Sequence, residues 1–93
     1  MAKSIISNEK KCLVCGKRTS INKHHIFAGI PNRQHSEHYG CWCYLCYEHH
    51  HGSVHGVHFN KELDLKIKQL AQKKFEETHS REEFIRIFGK NYL

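Results

Sequence analysis

The stretch that decides the fold is Gly40-Cys41-Trp42-Cys43-Tyr44-Leu45-Cys46-Tyr47-Glu48-His49-His50. Tyr39 to Leu45 reads as a strand, aromatic and apolar with a two-residue alternation. That alternation would set Cys41, Cys43 and Leu45 on one face and Trp42, Tyr44 and Cys46 on the other. Behind the strand, Glu48 to His51 is expected to open a helix. Across this junction Cys46-Tyr47-Glu48-His49 places a thiolate and an imidazole three positions apart, the spacing of half a metal site. The other half lies upstream in Cys12-Leu13-Val14-Cys15-Gly16, where a glycine lets the backbone close beneath two thiolates. Cys12, Cys15, Cys46 and His49 together form a Cys3His set suited to a structural zinc. Cys41 and Cys43 are the alternatives for any of these thiolates, and otherwise read as small buried hydrophobes in the strand. A redox reading of Cys12 and Cys15 lacks the βαβ context such motifs need.

Composition explains why a staple is needed. The chain has 93 residues, 39% of them hydrophobic, with 5 cysteines, 10 histidines and a formal net charge of +6. Such a length fits one domain, 1–93, and buries little apolar surface, so metal-binding energy would serve as folding energy. The odd cysteine count and a start without an apolar leader argue against an exported disulfide scaffold and for a cytoplasmic protein. No apolar run approaches the length of a membrane span.

The predicted class is α+β. Residues 12–60 carry the metal-ligand types, and 61–93 read as a helical extension. Residues 12–18 form the zinc knuckle, and Thr19 to Phe27 is a strand ending near His24 and His25. Gly29 to His38 reads as a loop. Beyond Asn60, a credible N-cap, Leu63, Ile67, Leu70 and Ala71 recur at helical spacing. Ser80 with Glu83 is a capping-box pattern, and Gly89 stops a second helix carrying Phe84, Ile85 and Phe88. Residues 1–60 hold seven basic and three acidic side chains, so the net positive charge is concentrated there.

The histidines exceed any core-filling need. Beyond His49 they cluster as His24-His25, His35 and His38, His50-His51, His55 and His58. A second metal site accounts for such a cluster. In a basic domain, that site suggests phosphodiester hydrolysis, with the ion stabilising the leaving oxygen and a free histidine deprotonating water.

These pieces resemble the HNH endonuclease family, with its ββα-metal fold, and most closely its small phage-type zinc-containing members. The matching segments are Cys12-x2-Cys15, His24-His25-Ile26, Leu45-Cys46-x2-His49-His50, His55 and Val57-His58-Phe59-Asn60, about half the chain. The resemblance implies that His24 binds the catalytic ion and His25 is the general base. It implies that His50 binds the ion from the final helix, with His58, or His55 as its substitute, completing the set. A one-residue shift at the strand end would exchange the roles of His24 and His25. The asparagine of the family's name is missing, since nine residues before His50 stands Cys41.

The resemblance implies a DNA endonuclease with a structural Zn²⁺ and one catalytic divalent ion (Mg²⁺, Mn²⁺ or Ni²⁺). Its substrate would be double-stranded DNA in a bacterial or phage-infected cell, with a phage packaging or other targeting protein as a further partner. Arg33, Lys23 and Arg18 are candidate backbone contacts. No Arg or Asn array reads bases, so intrinsic specificity is expected to be low. The alternative is a catalytically inactive zinc-binding module that docks on nucleic acid or protein. It would keep the Cys3His set and give His24, His25 and His50 no task.

Overall fold

Ile21 pairs with Cys46 and His25 with Trp42 in an antiparallel ladder between β1 (Ile21–His25) and β2 (Trp42–Cys46). The computed structural model describes residues 3–29, 31–52, 56–58 and 60–93. β1 falls within its predicted segment, whereas β2 begins three residues later than the predicted Tyr39 and runs one residue past Leu45, because Tyr39 ends a helix that Gly40 caps. The pairing extends past both strands, with Tyr47 N–H donating to the Ser20 carbonyl and Ile26 N–H to the Cys41 carbonyl. Both faces of β2 are covered: Trp42, Cys43, Leu45 and Cys46 are all buried and only Tyr44 is partly open. The N-terminal segment also bonds to this strand. Leu13 N–H donates to the Tyr44 carbonyl at 2.9 Å, and the Ser4 hydroxyl donates to the Trp42 carbonyl. A strand enclosed this way loses its one-sided pattern.

The reading of residues 29–38 as a loop is corrected. The helix α1 (Asn32–Tyr39) lies between the two strands. It has no apolar stripe, and its buried residue is Ser36. The Ser36 hydroxyl accepts from Phe27 N–H at 3.1 Å and donates to the Phe27 carbonyl at 2.8 Å, fixing the helix to the chain leaving β1. Gly40 ends α1 with φ +74, and a Cβ there would overlap the Lys3 carbonyl oxygen. Only glycine meets both demands.

After β2 the expected helix is a single wide π-helical turn, Glu48–Gly52. The two C-terminal helices follow the sequence closely: α2 (Lys61–Phe75) and α3 (Arg81–Phe88). Asn60 accepts from Leu63 N–H and Ser80 from Glu83 N–H, both at 3.1 Å, so each cap satisfies an otherwise orphaned amide. Their apolar faces supply Ile67, Ala71, Phe75, Phe84 and Phe88, which join Ile26, Phe27, Cys41 and Leu45 in the core. Phe27 lies at its centre, edge-on to Phe84 at 5.2 Å and tilted on Phe88 at 4.6 Å. The Asn32 amide donates to the Phe88 carbonyl, tying the start of α1 to the end of α3. Among the described residues no helix is long and apolar enough to cross a membrane.

Candidate metal centres

The ligand atoms of Cys12, Cys15, Cys46 and His49 all lie within 4.8 Å of one another. The first two come from the turn before the sheet, which is closed by Gly16 N–H donating to the Cys12 carbonyl. Cys46 is the last residue of β2, and His49 begins its contribution one turn later. Cys15 Sγ is 3.8 Å from Cys46 Sγ, and Cys12 Sγ is 3.7 Å from His49 Nδ1. A tetrahedral zinc with sulfur and nitrogen ligands has edges of about 3.6–3.8 Å, so these separations suit it. The Cys46–His49 separation, 3.2 Å, is shorter.

The electrostatics of the cluster favour a thiolate. Burial raises the Cys12 thiol, but the backbone amides of Cys46, Cys15 and Val14 outweigh it and bring the pKa down to about 6. At Cys15 the Lys17 amide lowers the pKa, while desolvation and the neighbouring Cys12 and Cys46 sulfurs raise it and prevail. Cys41 and Cys43 stand apart from this cluster. Burial pushes both thiols up to about 12, the behaviour of small core residues rather than ligands.

The second cluster is His24, His50 and His58, whose nitrogens also lie within 4.8 Å of one another. The ring centroids are 5.1 Å apart for His24–His50, 5.7 Å for His24–His58 and 4.9 Å for His50–His58. His24 comes from β1, His50 from the π-helical turn, and His58 from the chain that folds back over that turn. Gly56 makes this return possible, since a Cβ there would sit 2.9 Å from the His50 carbonyl oxygen. Val57 N–H then donates to the His49 carbonyl.

His24 is buried, and its Nε2 has no hydrogen-bond partner among the described residues. Burial, then the neighbouring His50 and His58, depress its pKa to about 3. A buried neutral imidazole with an unsatisfied nitrogen, facing two more imidazoles, fits a divalent metal ion. His55 and the His51 side chain lie outside what is described.

These histidines open onto a cleft of about 310 Å³ lined also by Lys23, His25, Ala28, Gly29 and Arg33. His25 is the neighbour of His24 on β1 but takes a different partner. Its Nε2 is 2.8 Å from Glu37 Oε2 on α1. Glu37 also holds Lys23 at 2.8 Å, and the Lys23 ammonium first, then His25, keeps its carboxyl below the usual range. Lys23 lies over the Trp42 ring at 4.3 Å, so this cation is held on two sides. No described residue forms an ion pair with the Arg33 guanidinium, which lies at the cleft. Arg18 does not line the cleft and pairs with Glu9 at 3.4 Å.

Glu37 is the site residue that the sequence did not reveal. It is twelve positions from His25, in a segment read as loop. A helix there would have placed Arg33 and Glu37 one turn apart on one face. His35, His38 and His79 lie outside both clusters. His35 and His38 ride on α1, and His79 stacks on Phe75 at 4.3 Å.

Comparison with protein-family models, with curated proteins and with solved structures finds no match to this chain.

Proposed function

We propose that this chain is a metal-dependent endonuclease of the HNH type, hydrolysing phosphodiester bonds in DNA. The observation that carries the reading is the convergence of three histidines on one cleft with a fourth, His25, that is held by a carboxylate. The Cys3His cluster lies apart from that cleft and suits a structural zinc, as closed four-ligand sites do. The ββα-metal arrangement is part of the proposal: β1, β2 and the π-helical turn supply its strands and the start of its final helix.

His24, His50 and His58 would hold the catalytic divalent ion. When bound, that ion supplies Lewis-acid stabilisation of the charge on the leaving 3′ oxygen. His25 donates its Nε2–H to Glu37, which leaves Nδ1 as the basic nitrogen that takes a proton from the attacking water. Arg33 binds the DNA backbone beside the reacting phosphate. Lys23 contributes positive potential to the same wall while remaining paired with Glu37. The net charge of +6 favours approach to a polyanion.

The test is nicking of supercoiled plasmid by the full chain with Mg²⁺, Mn²⁺ or Ni²⁺. Metal-dependent cleavage that is lost in His25→Ala supports the nuclease. No cleavage with any of these ions rejects it.

One observation favours the inactive zinc-binding module as a second reading. Cys41, at the position of the family's asparagine, is fully buried in the core and cannot hold a catalytic loop as an amide does. DNA binding that survives His24→Ala and His25→Ala, without cleavage by the parent chain, would favour it.

A further inference from the structure

We infer that Glu37 is the positioning residue for His25, and that α1 delivers Glu37 to His25 and Arg33 to the cleft. The inference rests on the nuclease reading above and adds a residue to it. His25 alone cannot fix its own ring. An imidazole on a strand end rotates about two bonds, and either nitrogen can carry the proton. The carboxylate 2.8 Å from Nε2 selects one rotamer and one tautomer.

Glu37 is in turn immobilised from several directions. Its second oxygen also receives Lys23, at 2.8 Å. The residue before it, Ser36, is bonded twice to the Phe27 backbone, which prevents α1 from sliding along β1. Asn32 secures the N-terminal turn of the same helix to the Phe88 carbonyl. Arg33 is four residues from Glu37, so one helical face carries both, with Arg33 lining the cleft and Glu37 bonded to His25 and Lys23 of its wall. Each anchor of α1 thus acts on where His25 points and where the phosphate is met.

The charge arrangement supports this role. Glu37 is absent from the His24, His50 and His58 cluster, and Lys23 with His25 occupies its oxygens. The carboxylate therefore acts on the imidazole beside it and not on the ion.

The experiment compares Glu37→Ala and Glu37→Gln in the full chain, alone and combined with His25→Ala. Single-turnover plasmid cleavage, half-saturation by DNA and bound metal content are measured together. Glu37→Ala is expected to slow cleavage about tenfold or more, with metal content unchanged and DNA half-saturation not weakened. Glu37→Gln keeps an oxygen acceptor and is expected to retain more activity than Glu37→Ala. Any residual cleavage by His25→Ala is expected to be unchanged by adding Glu37→Ala. An unchanged rate in Glu37→Ala overturns the positioning role and leaves the nuclease reading standing.

Long-range ¹H–¹⁵N spectra of histidine-labelled protein provide an independent readout. His25 is expected to carry its proton on Nε2 in the parent chain and to become mixed in Glu37→Ala. If the parent chain does not cleave, the nuclease reading falls, and identical His25 spectra in parent and Glu37→Ala reject the positioning as well.

Discussion

Cys46 Sγ lies 3.2 Å from His49 Nδ1, although Cys46 ends a strand and His49 sits in the turn that follows. The contact shows that the change from strand to π-helical turn is made at the metal cluster itself. In a chain this short, an ion held by that cluster would couple metal binding to folding.

The first prediction concerns the division of the cysteines. Cys12→Ser, Cys15→Ser and Cys46→Ser are each expected to lose tightly held zinc, measured by colorimetric release, and to lose cooperative thermal unfolding. Cys43→Ala is expected to keep its zinc and to lose only the stability of a core contact, about 1–2 kcal/mol. Retained zinc in Cys46→Ser would reject the assignment.

The second concerns acid. His24 has its folded pKa depressed to about 3 from an ordinary value of 6.5. Between those values the unfolded chain binds a proton that the folded chain refuses, so stability rises with pH across that window. The contribution is fully present above pH 6.5 and is lost as pH falls towards 3. Urea denaturation of protein without added divalent ion should therefore show a falling midpoint from pH 7 to pH 5. The fall should be shallower in His24→Phe.

A third prediction separates the two cations of the cleft. Arg33→Ala is expected to weaken DNA binding and to reduce the slope of log affinity against log salt by about 1, the mark of one phosphate contact. Lys23→Ala should alter the slope less, because that ammonium is already held by Glu37 and Trp42. Equal slopes for Arg33→Ala and the parent chain would remove Arg33 from the interface.

A fourth tests the scaffold. Gly40→Ala must place a β-carbon on the Lys3 carbonyl and hold an L-residue at φ +74. The backbone conformation alone costs about 1–2 kcal/mol, before any clash. Ser80→Ala removes only the cap of α3 and should cost about 1 kcal/mol. Chemical denaturation should therefore rank Gly40→Ala well below Ser80→Ala in stability.

Much of this arrangement was legible in the sequence because its signals are local. The x2 spacing of Cys12 with Cys15 and of Cys46 with His49 marks the two pairs that converge in the Cys3His cluster. The capping patterns at Asn60 and Ser80 marked the helix starts, and the apolar spacing from Leu63 to Ala71 marked the buried face of α2. α1 was not legible, because it is held by hydroxyl and amide bonds from Ser36 and Asn32 rather than by an apolar stripe. With α1 unread, Glu37 had no reason to be placed beside His25. The burial of Cys41 and Cys43 was legible, but the covering of the Trp42 and Cys46 face was not, since the hydrogen bonds from Ser4 and Leu13 link segments far apart in the chain.

His49 and His50 are consecutive, yet His49 belongs to the Cys3His cluster and His50 to the three-histidine cluster. One set of backbone dihedrals thus aims two imidazoles, each at its own candidate ligand cluster. Neither imidazole can be re-aimed by turning that peptide without misaligning the other. The two centres therefore share a common frame of reference, with the cysteine cluster fixing the origin from which the cleft is measured.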